Sequence, residues 1–218
     1  MRRTNGFVAA LLCAGMAAAA LGQAPDEIKL PPPQTAGGKP LMQALKDRHS
    51  SREFAVRALP EQVLSNLLWA ANGVSRPDGR RTAPSAMNWQ EVDIYVVLPQ
   101  GAYLFDAKAH ALTPVVAGDL RAMTGTQPFV KDAPLNLVFV ADLARMVSRR
   151  GPIPEADRDA CANADTGFIS QNVYLFCASE GLNTVVRGLI GDKAALARAL
   201  KLRPDQRVIL AQTVGYPK

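Results

Sequence analysis

At 218 residues, with 48% apolar and 20% charged side chains, the chain is long enough for one large globular domain and too apolar to be disordered. Its formal charge of +6 is too modest to demand a nucleic-acid partner, and the basic residues form no long helical stripe. With two histidines, no HExxH and no paired cysteines at ligand spacing, no metal centre is expected.

Residues 1–24 read as a signal peptide. Arg2 and Arg3 precede the apolar run GFVAALLCAGMAAAAL, and Gly22, Gln23 and Ala24 supply a small-x-small cleavage pattern. The run is short for a membrane span, so an uncleaved N-terminal anchor is the alternative, and no later segment resembles a span. Paired arginines also permit twin-arginine export, although they serve equally well as an ordinary positive n-region. Either route predicts a periplasmic or secreted protein without a stable membrane span once the leader is cut. Cleavage removes Arg2 and Arg3 and no acid, so the formal charge falls from +6 to +4.

Residues 25–39, PDEIKLPPPQTAGGK, carry four prolines and two glycines and predict an extended linker, with the folded domain at 40–218. Leu41, Ala44 and Leu45 fall at helical spacing. Pro60 opens a second helix, PEQVLSNLLWAAN, and Gly73 stops it. VDIYVVL and GAYLFD, separated by a Pro-Gln-Gly turn, predict a hairpin, and LNLVFVA at 135–141 predicts a strand buried on both faces. Residues 155–180 form the longest helical candidate, ended by Gly181. LNTVV, the helix KAALARAL and the strand RVILAQTVG follow. The expected order is α, α, β, β, α, β, α, β, α, β, an α+β sheet flanked by helices.

Cys13 leaves with the leader. Cys161 and Cys177 lie sixteen residues apart on one predicted helix, roughly 24 Å at ~1.5 Å per residue, beyond the reach of a disulfide. They are expected as free thiols that serve packing.

No phosphate-binding Walker loop, G-x-G-x-x-G or G-x-S-x-G occurs, which leaves no obvious nucleophile and suits a protein whose bound cofactor carries the chemistry. Two phrases stand out. RHSSREF, Arg48 to Phe54, sets two arginines and a histidine together where they repel, which asks for an anion among them. A solvated basic turn at a helix end is the other reading. GRRTAPSAMNWQ, Gly79 to Gln90, offers a hydroxyl and two carboxamides just before a strand. It suits either the edge of a flat heterocycle or an Asx-type turn that starts the strand.

RHSSREF, RTAPSAMNWQ, GFISQNVYLFCASEGLNTVVRG and LAQTVGYP, in this order over residues 40–218, resemble the FMN-dependent nitroreductase family. The resemblance implies a central, mostly antiparallel sheet flanked by helices and an intertwined homodimer with FMN at the interface. It assigns the flavin phosphate and ribityl end to Arg48, His49, Ser50 and Arg52. Pro84, Ser85 and Ala86 match a loop that reaches the flavin across the dimer. Asn88, with Gln90 beside it, matches the pyrimidine edge, and Val186, Arg187 and Gly188 match the N5 side through a backbone amide. No catalytic side chain is implied, because the flavin carries the chemistry by ping-pong exchange with a small-molecule acceptor such as a nitroaromatic or quinone. The segment VDIYVVLPQGAYLFDAKAHAL looks most like the branch that includes the peptide azoline dehydrogenases. Tyr174 and Phe176 read as core first and as a substrate wall second, and Trp89 either lines the flavin or covers the sheet. The alternative function is a non-catalytic periplasmic binding or assembly protein that keeps this fold.

Overall fold

The computed structural model describes residues 25–218; the leader expected at 1–24 lies outside the described residues. In chain order the elements are β1 (Ile28–Lys29), α1 (Leu41–Asp47), α2 (Glu61–Asn72), β2 (Val92–Leu98), β3 (Gly101–Asp106), β4 (Ala111–Ala117), β5 (Leu135–Asp142), α3 (Glu155–Glu180), β6 (Asn183–Arg187), α4 (Lys193–Ala199) and β7 (Gln206–Gly215). The seven strands form one sheet in the order β1-β4-β3-β2-β5-β7-β6, and every pairing is antiparallel. The expected α+β sheet flanked by helices is what forms.

Alternation along β5 divides the core. Leu135, Leu137 and Phe139 pack with Leu67 and Leu68 of α2 and Val173 of α3. Val138 and Val140 pack on the opposite face with Leu196 of α4 and Leu200 just beyond it. All eight residues of β5 are buried, as an unbroken apolar run with cover on both faces should be. The long helix α3 starts after Pro154 and ends at Gly181, whose φ of +70° places it in the left-handed region while its N–H bonds the Cys177 carbonyl. Cys161 and Cys177 are both free; Cys177 is buried, and burial pushes its thiol up. No helix among the described residues is long and apolar enough to cross a membrane.

Two expectations are corrected. No helix lies between the second and third predicted strands. Residues 111–117, ALTPVVA, form β4 instead, and 3-10 turns at Arg121–Thr124 and Pro128–Lys131 follow. Pro114 disguises this strand, but β1 pairs only with Ala111 and Leu112, so the missing proline donor costs no ladder bond to β1. The segment 25–39 is extended as expected, yet it is docked rather than free. Ile28 and Lys29 pair with β4, Leu30 is buried, and the Leu30 N–H bonds the His110 carbonyl at 3.2 Å. The Ser65 hydroxyl donates to the Pro31 carbonyl at 2.6 Å and accepts from His110 Nε2 at 2.7 Å.

Candidate functional site

Helix α1 ends at Asp47 because the chain turns extended at Arg48, with φ −59° and ψ 120°. From there residues 48–53 run beside β6: the Ser51 N–H donates to the Thr184 carbonyl at 3.0 Å, and Asn183 Nδ2 donates to the Glu53 carbonyl at 2.7 Å. The side chains meet at Tyr174 on α3. Its hydroxyl lies 2.7 Å from Ser50 Oγ and accepts the Val186 N–H at 3.0 Å, while the Arg48 guanidinium sits 5.3 Å from the ring centroid. Tyr174 thus ties together Arg48, Ser50 and Val186, three of the residues singled out from sequence. His49 is exposed and its Nδ1 lies 2.8 Å from the Asp47 carbonyl. Arg52 is exposed, and among the described residues neither Arg48 nor Arg52 has a carboxylate within ion-pair distance.

Pro84 to Gln90 form a second cluster. The Ser85 hydroxyl accepts the Gln90 N–H at 2.9 Å, the Ala86 N–H donates to Asp165 Oδ2 at 2.7 Å, and the Asn88 N–H bonds the Ser85 carbonyl at 3.0 Å. Met87, Asn88 and Gln90 have φ near +50°, +56° and +50°. Three such residues within four positions is costly for side chains bearing a Cβ, and strain of this kind concentrates at functional loops. Pro84, Met87 and Asn88 are exposed. Gln90 is spoken for: Oε1 accepts from Arg81 Nε at 3.0 Å, and Nε2 donates to the Gly79 carbonyl and Asn88 Oδ1, both at 3.1 Å. Its carboxamide braces the loop and has little left to offer a heterocycle, whereas Asn88 keeps its amide Nδ2.

At the end of β6, Val186 is half-buried and Gly188 exposed, but the Arg187 side chain turns inward. Its Nη1 donates to the Thr124 carbonyl at 2.6 Å, and its Nη2 to Asn136 Oδ1 at 3.0 Å and Thr213 Oγ1 at 2.9 Å. Burial pulls its pKa down to about 10, so it remains cationic at neutral pH. Gly125 makes room for it, since a Cβ there would lie 1.8 Å from Nη1. Arg187 is therefore committed to the interior, and its guanidinium is not free to meet a ligand.

Sequence reasoning did not single out Glu91 and Asp165, and it took Tyr174 for core. Glu91 is fully buried, and neither carboxylate oxygen has a hydrogen-bond partner. Burial, reinforced by the neighbouring Asp165, raises its pKa to about 7. The only sequence signal was an acid at the entry to an apolar strand. Tyr174 was hidden because its ring is buried as core while its hydroxyl meets the Ser50 side chain and the Val186 N–H.

The two clusters sit apart on one chain. Asp165, under the second, and Tyr174, at the heart of the first, are nine residues apart on α3, about 14 Å along its axis. Between them α3 exposes Gly167, Phe168 and Gln171. A cleft of about 550 Å³ opens between residues 34–41 and the helices α2 and α3, with Trp69, Asn172 and Phe176 among its walls.

Comparison with known proteins gives consistent matches. The profile of the Nitroreductase family matches residues 45–216. A curated protein of Methanocaldococcus jannaschii, described as a candidate nitroreductase, is 31% identical over 163 residues, 70% of this chain and 80% of its own. The crystal structure of a candidate nitroreductase from Ralstonia eutropha JMP134 superposes with a TM-score of 0.83 at 44% identity, covering 91% of this chain and 93% of that one. A candidate nitroreductase from Desulfovibrio desulfuricans, solved in complex with FMN, shares the fold at 22% identity and a TM-score of 0.59, covering 83% of this chain and 88% of its own.

Proposed function

Because this chain belongs to the nitroreductase family, we propose that it is an exported FMN-dependent oxidoreductase, working as a homodimer, that passes electrons to a nitroaromatic, quinone or related small acceptor. The observation that carries the reading is the convergence on Tyr174 of Arg48, Ser50 and the Val186 backbone, with Arg48 and Arg52 lacking any carboxylate among the described residues. Two cations close in sequence without internal counter-charges, one of them beside the Ser50 and Tyr174 hydroxyls, fit a phosphate, since planar guanidinium forks match its oxygens.

In this reading FMN, when bound, supplies the two-electron store that lets donor and acceptor react in turn. The chain's own residues bind and orient. Arg48 and Arg52 neutralise the phosphate. Ser50 gives or takes a hydrogen bond at the ribityl end, and the Tyr174 hydroxyl holds Ser50 and β6 at a fixed spacing. Asn88 Nδ2 offers a donor to the pyrimidine edge. Exposed Gly188 leaves its backbone N–H without a side chain in the way at the N5 side. The 14 Å between the two clusters supports a dimer, in which loop 84–88 of one protomer completes the flavin site of its partner. Residues 1–24 support export by their sequence.

Purified protein tests this directly. The expected preparation is yellow, carries stoichiometric flavin absorbance and bleaches under dithionite. A colourless preparation that ignores added FMN sinks the reading in favour of a binding or assembly protein that keeps the fold.

A further inference from the structure

Outside the proposed flavin contacts, the segment Arg76 to Arg81 concentrates positive charge on a rigid turn. Gly79, with φ +81°, makes the bend; the Gly79 N–H bonds the Arg76 carbonyl at 3.0 Å, the Ser75 N–H bonds the Arg80 carbonyl at 2.9 Å, and Val74 bridges Arg81. This turn and the start of the next loop enclose a cleft of about 270 Å³ with Arg76, Arg80, Arg81, Thr82, Ser85 and Asn88 among its walls. The charge is only partly balanced, since Asp93 and Asp106 line a neighbouring cleft with Arg81 without pairing with it. Arg80 pairs with Asp78, but among the described residues neither Arg76 nor Arg81 has a carboxylate within ion-pair distance. Arg81 is held by neutral acceptors only, Gln90 Oε1 at 3.0 Å and the Asn72 carbonyl at 3.2 Å, and its Nη2 has no protein partner among the described residues.

We propose that this arginine cleft binds the carboxylate or phosphate group of the small molecule that exchanges electrons at the flavin. The inference rests on the flavin reading above, because Ser85 and Asn88 belong both to the cleft and to the loop assigned to the flavin edge. An anionic group seated among the arginines would hold the rest of the molecule beside that loop. The cleft is smaller than a typical whole-ligand pocket and suits one charged group with its immediate neighbours. Arg81 supplies a guanidinium fixed in advance by Gln90 and Asn72, so little order is lost when the anion arrives. Arg76 and Arg80, both exposed, add charge at the mouth.

Equilibrium dialysis of the purified full chain tests the proposal with two matched pairs, 4-nitrobenzoate against nitrobenzene and NADP⁺ against NAD⁺. The expected result is at least about tenfold tighter binding of the more anionic member of one pair, the span of a single charge-assisted contact. In the Arg76→Gln/Arg81→Gln double variant, which removes both arginines that lack a carboxylate partner, that preference should shrink to within about twofold. A preference in the first pair assigns the cleft to a carboxylated acceptor, and in the second to a phosphorylated donor. No preference in either pair, or one that survives the double substitution, overturns the proposal. Flavin content is read separately by absorbance. If neither protein takes up FMN the flavin reading fails, while the dialysis still decides whether the cleft selects anions.

Discussion

Glu91 is the residue whose environment most departs from its chemistry. A carboxylate at 0% exposure with no hydrogen-bond partner for either oxygen is held at a cost, and its pKa is raised to about 7 by burial and then by Asp165. Proton linkage fixes the sign. The unfolded chain ionises near the ordinary value of 4.5 and the folded chain near 7, so the neutral acid favours folding below the lower value, and that contribution is lost as pH rises between the two. Glu91→Gln keeps the shape and removes the titration. The wild type should lose stability relative to the variant as pH rises from 4.5 to 8, by at least about 1 kcal/mol, measured by urea unfolding at a series of pH values. Parallel stability profiles would show that Glu91 does not titrate in this window. Asp165 bonds the Ala86 N–H, so ionisation of Glu91 also places like charge under the 84–90 loop.

At the scale of elements, the long helix, its end at Gly181 and the apolar strand β5 were readable because periodicity, a left-handed glycine and an unbroken apolar run are local signals. What escaped depended on partners distant in sequence. PDEIKLPPPQ looks like a linker because proline donates nothing, but its carbonyls still accept: Ser65 Oγ bonds that of Pro31 and Gln62 Nε2 that of Pro32. The acceptors are in the linker, the donors on α2, and nothing in the linker announces them. The same holds in the site. Arg48 and Ser50 declared themselves by local crowding, whereas Gln90 and Arg187 look like ligand residues until Arg81 and Asn136 are seen to occupy them. If the segment is structural, Leu30→Ala should destabilise the fold by about 2–3 kcal/mol, as for other buried leucines. Urea unfolding that moves by less than half a kcal/mol would return the segment to the status of a tether.

For the whole molecule, the two residue clusters lie along α3, and the exposed face between them carries Phe168, which is 48% exposed. In the proposed homodimer this face would lie at the seam between copies. Phe168→Glu places a charge there. The expected outcome is a monomer by sedimentation, with FMN affinity lowered at least about tenfold because each site loses the loop supplied by the other copy. A monomer that binds flavin as tightly as the wild type would separate assembly from cofactor binding and leave loop 84–88 without its proposed role.

The most direct measurement is a fluorescence titration of FMN into wild-type protein and into the Arg48→Ala/Arg52→Ala variant. Two charge-assisted phosphate contacts at about 1.5–3 kcal/mol each predict an affinity lower by roughly two decades or more, with riboflavin, which lacks the phosphate, binding both proteins alike. Stoichiometric nanomolar FMN binding by the double variant would contradict the phosphate site and, with it, the account of why Arg48, beside Tyr174, and Arg52 stand without counter-charges.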